Sequence, residues 1–435
     1  MQDTIFALAS GSLVCGVAVV RVSGAQAKRI VERFCGSNVA VRHAAYKSIR
    51  DPRNGELIDT GLVLFFEGPA SFTGEDCLEF QIHGSRAGVA RLFAALQAEA
   101  GCRFAEPGEF IRRAFENEKL PLTSVEGIAD LIDARTEAQR KQALAQAGGH
   151  LADQASYWRD ELLDAFSLLE AEIDFSDEGE APSAVMPEVR RILGELQQSL
   201  REALVEAERG ERIRSGFRIA LAGHPNAGKS SLMNALVRRD VAIVSEHAGT
   251  TRDVIEVEFD LGGYSVIVAD TAGLRATNDP VEAIGVARTR QELHKADLVL
   301  WLEDVASLSC LPETGDADVI KIATKMDLAS DLPDWADLGI SVKSGFGIEP
   351  LMTLLAEKAA KSLSGEPPLI TNLRQKACIE SAARHLQKAM SHQDQALELV
   401  AEDLRHVAGD LEALMGRIGV EDILGSIFSR FCMGK

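Results

Sequence analysis

The 435-residue sequence has no Cys-x-x-Cys pair and no more than two consecutive Lys or Arg. It also has no uncharged apolar run of about 18 residues, so no membrane-spanning helix is expected. Seven cysteines, at 15, 35, 77, 102, 310, 378 and 432, occur without metal-type spacing. That pattern argues against zinc and against a disulfide scaffold, and for a reducing compartment. The opening MQDTIFALAS lacks a basic segment followed by a long apolar one. No signal peptide is expected, and the expected location is the cytoplasm. Basic charge is scarce: 46 Lys and Arg against 66 Asp and Glu give a formal charge of −20. This argues against broad, direct nucleic-acid binding, and no basic tail is hidden in the average.

What is present is ordinary for a globular protein: 46% hydrophobic and 26% charged residues. Disorder and collagen are excluded. At roughly 100–200 residues per domain, two to four domains are expected. Val17–Val22, Leu57–Phe66 and Cys77–Ile82 read as strands, with Ala87–Ala98 helical, so residues 1–118 form a small mixed α/β unit. From about Thr123 to Gly210 the chain is helical. Val189, Ile192, Leu193, Leu196, Leu200 and Leu204 mark one helix face. The acidic stretch Asp174–Pro187 reads as a solvated loop that splits two helices. Residues 211–363 alternate strands and helices, with a hairpin signal at Gly262 and Gly263. After the SGEPP linker at Ser364–Pro368 the chain is helical again. The order suggests a helical domain in two parts, 119–210 and 364–435, with an α/β domain inserted.

The octet GHPNAGKS at Gly223–Ser230 fits the phosphate-loop pattern and stands between a strand and a helix, as the motif demands. Asn226, Ala227, Gly228, Lys229, Ser230 and Ser231 are the phosphate-binding candidates. Their backbone N–H groups turn inward, Lys229 reaches the β- and γ-phosphates, and Ser230 ligates Mg²⁺. Gly249 to Asp253 lies where a switch segment belongs, with Thr251 as a second hydroxyl for Mg²⁺. Asp270, Thr271, Ala272 and Gly273 follow a strand; Asp270 suits Mg²⁺ through water, and the Gly273 N–H suits the γ-phosphate. This order resembles the translation-factor-like small GTPases. Thr324, Lys325, Met326 and Asp327 hold the base-reading position, Asp327 accepting from guanine. Thr324 replaces the usual Asn. Ser341, Val342 and Lys343 match the last base-contact loop. Leu274 stands where Ras-like enzymes place a water-orienting Gln, so another group must do that work. Arg275, Asp279 and Glu282 are the nearby candidates.

Several further blocks resemble the MnmE (TrmE) family of tRNA-modification GTPases over essentially the full length. They are FTGED at Phe72–Asp76, AEPGEF at Ala105–Phe110, RRAF at Arg112–Phe115, ADLIDA at Ala129–Ala134, IDF at Ile173–Phe175, and the ending EDILG at Glu421–Gly425 with FCMGK at Phe431–Lys435. The resemblance implies a multidomain α/β plus α protein: an N-terminal mixed α/β folate-binding domain, a helical domain and an inserted Ras-like P-loop GTPase domain.

It also implies that Asn226 and the loop of Ser245, Glu246, His247, Ala248, Gly249 and Thr250 hold K⁺, with Asn226, Ser245, His247 and Thr250 near the ion. Glu282 becomes the water-orienting acid. The N-terminal domain implied is a dimerising one that binds 5-formyl-tetrahydrofolate or a related folate through Arg21, Glu79, Lys119 and Lys435. Glu79 suits the ring N–H groups, and the cations suit the folate carboxylates.

Cys432 is either the nucleophile of the modification or a packed small hydrophobe. The partners implied are a second copy of the chain, the FAD-carrying flavoprotein MnmG in a heterotetramer, and tRNA. The product would be a C5 aminomethyl or carboxymethylaminomethyl wobble uridine. MnmG would then supply most of the basic surface that this chain lacks. The alternative is a regulatory GTPase of ribosome assembly without covalent tRNA chemistry, which has no reason to carry the folate residues and the tail. A structural dimeric scaffold is a third reading. The sequence departs from the family at Gly11–Gly16, where a Pro-rich loop is usual, and at Pro121, where Asp is common.

Overall fold

The computed structural model describes residues 3–36, 39–175, 185–238, 242–243, 256–270, 293–306, 318–392, 397–417, 421–428, 431 and 434. The chain divides into two compact units. One comprises 1–129, 146–167 and 398–435, and the other 130–145 and 168–397.

The first unit carries β1 (Thr4–Leu8), β2 (Cys15–Ser23), α1 (Ala27–Cys35), β3 (Ala45–Arg50), β4 (Leu57–Phe66), β5 (Cys77–Gly84), α2 (Arg86–Gln97), β6 (Cys102–Phe104), α3 (Glu109–Glu116) and most of α4 (Leu122–Asp133). Its six-stranded sheet has the order β3-β4-β5-β2-β1-β6. The period-2 alternation of β2 buries Ala18, Val20 and Val22 with Leu78, Phe80 and Ile82 of β5, against Ile30 and Phe34 of α1 and Leu92 and Leu96 of α2. The same alternation puts Arg21 and Glu79, paired in register, on the opposite face. Ser85 caps α2, its hydroxyl accepting from the Gly88 N–H at 3.0 Å.

The unit also contains α6 (His150–Phe175) up to residue 167, α11 (Leu397–Met415) and α12 (Glu421–Phe428). Ile427, Phe428 and Phe431 pack with Ile111, Leu122 and Val125. Gly108 lies in the left-handed region, φ 68°, and a Cβ there would strike the Phe428 carbonyl. Gly434 is likewise pressed on the Leu8 carbonyl at the end of β1.

The second unit holds α5 (Glu137–Ala147) up to residue 145, α7 (Val185–Ser215), β7 (Phe217–Gly223), α8 (Lys229–Val237), β8 (Ala242–Ile243), β9 (Glu256–Leu261), β10 (Tyr264–Asp270), β11 (Leu298–Asp304), β12 (Asp318–Thr324), β13 (Leu338–Gly339), α9 (Ile348–Leu363) and α10 (Leu373–Ser391). The seven-stranded sheet has the order β13-β12-β11-β7-β10-β9-β8. The strands from β13 to β10 run parallel, and β9 and β8 are antiparallel additions. One face packs Ile219, Leu221, Val268 and Leu300 on Leu232 of α8 and Leu351 of α9. The other buries Ala220, Ala222, Val299 and Trp301. Burial on both faces explains the short continuous apolar strands.

The helical stripe is real: Val189, Ile192, Leu193, Leu196 and Leu200 of α7 are buried, and α10 packs along α7. The interruption expected over Asp174–Pro187 is shorter than read. Helix α6 reaches Phe175 and α7 begins at Val185. Pro187 thus falls in the first turn of α7, where its missing N–H has no intrahelical partner to lose.

Candidate functional site

Strand β7 ends at Gly223, whose φ is 142°; a Cβ there would collide with the Leu302 carbonyl on neighbouring β11. The loop then needs two more left-handed residues, Asn226 at φ 66° and Gly228 at φ 94°. Asn tolerates that region better than other side chains, and Gly228 forms the N-cap of α8 without a side-chain bond. The first turn of α8 contains no acidic residue. Its N-terminus therefore offers backbone N–H groups and positive dipole to an anion.

Lys229 is buried and donates to the carbonyls of Gly223 at 2.8 Å and His224 at 3.0 Å. Burial lowers its pKa, and the nearby Asp270 charge opposes that shift. The Ser230 hydroxyl donates to Asp270 Oδ2 at 3.1 Å, joining α8 to the end of β10. Asp270 Oδ1 is buried with no hydrogen-bond partner among the described residues. Burial raises the Asp270 pKa, while the Ser230 bond and the Lys229 charge hold it down. Two adjacent oxygen donors, one of them an orphaned carboxylate oxygen, fit a hard cation such as Mg²⁺. Ala227 is buried below the loop, and Ser230 and Ser231 face solvent.

The residues expected to read the base lie at and after the ends of β12 and β13. Thr324 is buried, and its hydroxyl donates to the Glu303 carbonyl at 3.0 Å. The usual Asn amide is thus replaced by a hydroxyl directed to the protein's own backbone. Lys325 adopts φ 59° and donates to Asp304 at 2.6 Å. Asp327 accepts from the Ser341 hydroxyl at 2.7 Å, and Lys343 lies 3.6 Å from its other oxygen. These contacts, the Ser341 bond first, hold the Asp327 carboxyl below the usual range. Val342 packs on the sheet core. Thr324, Lys325, Asp327, Ser341, Val342 and Lys343 are therefore one cluster. Ser245, Glu246, His247, Ala248, Gly249, Thr250, Thr251, Thr271, Ala272, Gly273, Arg275, Asp279, Glu282, Cys432 and Lys435 lie outside the described residues.

A second cluster occupies the polar face of the N-terminal sheet. Glu79 Oε1 accepts from Arg21 Nε at 3.0 Å and Nη2 at 2.9 Å. The Arg21 guanidinium sits 5.3 Å from the Phe72 ring centroid and 5.8 Å from that of Phe110. Gly74 lies against the Lys119 stem, which a Cβ would meet at 3.3 Å. Among the described residues implied for folate, Arg21 and Glu79 are in direct contact, so Arg21 neutralises Glu79 instead of acting as a separate cation.

Sequence reasoning missed the support beneath. Glu75 accepts from the Ser23 hydroxyl at 2.7 Å and from Arg113 at 3.0 Å. Arg113 donates to Glu109 at 2.9 Å, and Arg103 donates to Glu109 at 2.6 Å. Burial would raise the Glu109 pKa. The hydrogen bonds from Arg103, the Glu106 N–H and Arg113 prevail and bring it down to about 2. The FTGED, AEPGEF and RRAF blocks contain Glu75, Glu109 and Arg113, but nothing local says that they meet.

A parallel sheet whose strand-loop-helix unit faces an Asp at the neighbouring strand end, with a Thr-Lys-x-Asp base loop, defines a P-loop GTPase-type domain. A family model for the MnmE helical domain matches residues 122–432, and one for the GTP-binding protein TrmE N-terminus matches 4–119. The chain belongs to the MnmE family. A protein of Rhodopseudomonas palustris named tRNA modification GTPase MnmE is 48% identical, covering 100% of this chain and 99% of its own. Relatives of the same name from Beijerinckia indica, 49% identical over 100% and 96%, and from Caulobacter vibrioides, 48% over 100% and 100%, agree. No helix among the described residues is long and apolar enough to cross a membrane.

Proposed function

We propose that this chain is a GTP-hydrolysing enzyme whose nucleotide cycle drives modification of the wobble uridine of certain tRNAs. The observation that carries the GTPase reading is the meeting of Ser230 with Asp270 beside Lys229 at the start of α8. The backbone N–H groups of Gly228, Lys229 and Ser230 bind the β-phosphate. An ammonium has three donors, and the Gly223 and His224 carbonyls occupy two of those on Lys229. The third serves the β- and γ-phosphates. Ser230 directly, and Asp270 through water, hold Mg²⁺, which when bound neutralises phosphate charge. Asp327, already ionised and aimed by Ser341, accepts from the guanine edge. Glu282 orients the attacking water. Asn226 and the loop Ser245–Thr250 hold K⁺ in the place of an arginine finger.

The relatives' names support tRNA as the substrate. The remaining proposals follow the resemblance: residues 1–118 bind a formyl-tetrahydrofolate and dimerise, 211–363 bind GTP, and the helical parts 119–210 and 364–435 connect them. Arg21, Glu79, Lys119 and Lys435 hold the folate. Glu79 Oε2 takes the ring N–H groups, since Oε1 serves Arg21. Cys432 is the thiol that the resemblance assigns to the modification, and MnmG, with FAD, completes a heterotetramer on tRNA.

GTP hydrolysis in K⁺ and in Na⁺, with ATP as competitor, tests the reading. The rate is expected to fall about a hundredfold or more in Na⁺, and ATP should not compete. Equal rates in the two salts overturn the K⁺ assignment; inhibition by ATP overturns guanine selectivity. Retention of formyl-tetrahydrofolate by the full chain separates the modification enzyme from a regulatory GTPase.

A further inference from the structure

Strand β11 ends in Trp301-Leu302-Glu303-Asp304, beside the phosphate loop, with Trp301 paired to Ala222 and Leu302 to Gly223. Alternation places Trp301 and Glu303 on one face. Glu303 is 3% exposed, an expensive position for a carboxylate unless donors surround it. Its Oε2 accepts from the Trp301 indole N–H at 3.0 Å. Its Oε1 faces His224 Nδ1 at 3.3 Å. The His224 ring meets the Trp301 ring edge-on, centroids 5.7 Å apart.

The backbone of these residues then reaches both halves of the nucleotide site. The Glu303 carbonyl accepts the Thr324 hydroxyl of the base loop. The His224 carbonyl accepts the Lys229 ammonium at 3.0 Å and the Ala227 N–H at 3.2 Å. His224 follows Gly223 directly, so holding its side chain restrains the backbone that carries that carbonyl. An apolar strand end packs equally well on the sheet but offers His224 no acceptor.

We propose that Glu303 is a positioning residue for the nucleotide: it clamps His224, and through it the phosphate loop and the Lys229 ammonium, in the binding arrangement. The proposal rests on the GTPase reading. Glu303 touches neither base nor phosphate and acts through His224 and Thr324.

The full-length protein tests it, with mant-GDP titration, steady-state GTP hydrolysis and Trp emission. Glu303→Leu should weaken mant-GDP binding and raise KM for GTP about tenfold, as for loss of a charged hydrogen bond, with kcat at saturation retained. Glu303→Gln keeps an acceptor for the indole and a polar amide toward the His224 ring, and should restore KM to within about threefold of wild type. His224→Ala should match Glu303→Leu, and the double variant should be no worse than either. Nucleotide should shift the Trp emission of the wild type, and the shift should be lost in Trp301→Phe.

A wild-type KM in Glu303→Leu, or fully additive effects in the double variant, overturns the proposal. If Glu303→Leu fails to fold, His224→Ala decides the matter, because that side chain is half-exposed: an unchanged KM there overturns the clamp. A wild-type protein that binds no guanine nucleotide overturns the GTPase reading instead.

Discussion

Arg135 and Glu258, 123 positions apart, meet at 2.6 Å. The pair joins the residues before α5 to β9. The hairpin β9–β10 is bound at its tip as well, where the Ala138 N–H donates to the Gly263 carbonyl at 2.9 Å. The two partners of this ion pair are not equivalent. Glu258 also accepts the hydroxyl of Ser265, which is 2% exposed, at 2.7 Å. Arg135→Ala removes a partly exposed ion pair and should change stability by less than about 1 kcal/mol. Glu258→Ala leaves a buried hydroxyl unsatisfied and should destabilise by about 1–3 kcal/mol. Urea unfolding of both variants checks the order; equal effects contradict it.

Lys229→Ala should abolish measurable GTP turnover, because it removes the ammonium that the site offers to the β- and γ-phosphates. Ser230→Ala should act more narrowly. The Mg²⁺ concentration for half-maximal hydrolysis should rise about tenfold, while binding of Mg²⁺-free GDP changes little. Titrating Mg²⁺ against turnover in the two proteins separates the roles.

Glu282→Ala should retain nucleotide affinity and lose kcat, the signature of a group that acts in the transition state. Single-turnover hydrolysis beside a mant-GDP titration makes the comparison. Normal turnover removes Glu282 from the mechanism.

Glu109 should make the protein acid-sensitive. Its carboxyl is lowered from 4.5 to about 2 in the folded state. The unfolded chain therefore takes up the proton first as pH falls. The stabilisation is complete above 4.5, declines below it and is gone once pH passes 2. Urea midpoints across that window should fall less steeply in Glu109→Gln than in the wild type.

Gly434→Ala should disturb the N-terminal site and spare the nucleotide site. An added Cβ strikes the Leu8 carbonyl, and the neighbour of Leu8 on β1, Ala7, is paired with Arg21. Loss of folate retention with unchanged GTP hydrolysis is the expected outcome, measured on the full chain.

The elements legible in the sequence are those with a local cause. Leu57–Phe66 is β4 as read, the Gly262-Gly263 hairpin joins β9 and β10, and the phosphate loop lies between β7 and α8. Residues that depend on distant partners were not legible. Thr4–Leu8 becomes a strand by pairing antiparallel with β2 and parallel with Cys102–Phe104, which has its partner there, and neither carries a long alternating pattern. Glu75, Glu109 and Arg113 look like surface charges until the fold buries them together. Glu303 stands at the polar end of an apolar strand, and nothing local signals that it meets His224, 79 positions earlier in the chain.

The seating of Phe428 on Gly108 also sets an order of events at the ribosome. The first 129 residues share their compact unit with 398–435, so the cluster around Ile111 and Leu122 closes only after residue 428 has emerged. At roughly 5–20 residues per second that interval is on the order of tens of seconds. Throughout it the apolar faces of α3 and α4 await their cover, while the strands of the nucleotide-binding sheet, residues 217–339, are being synthesised. Translation speed across the intervening segment therefore determines how long those apolar faces stay uncovered.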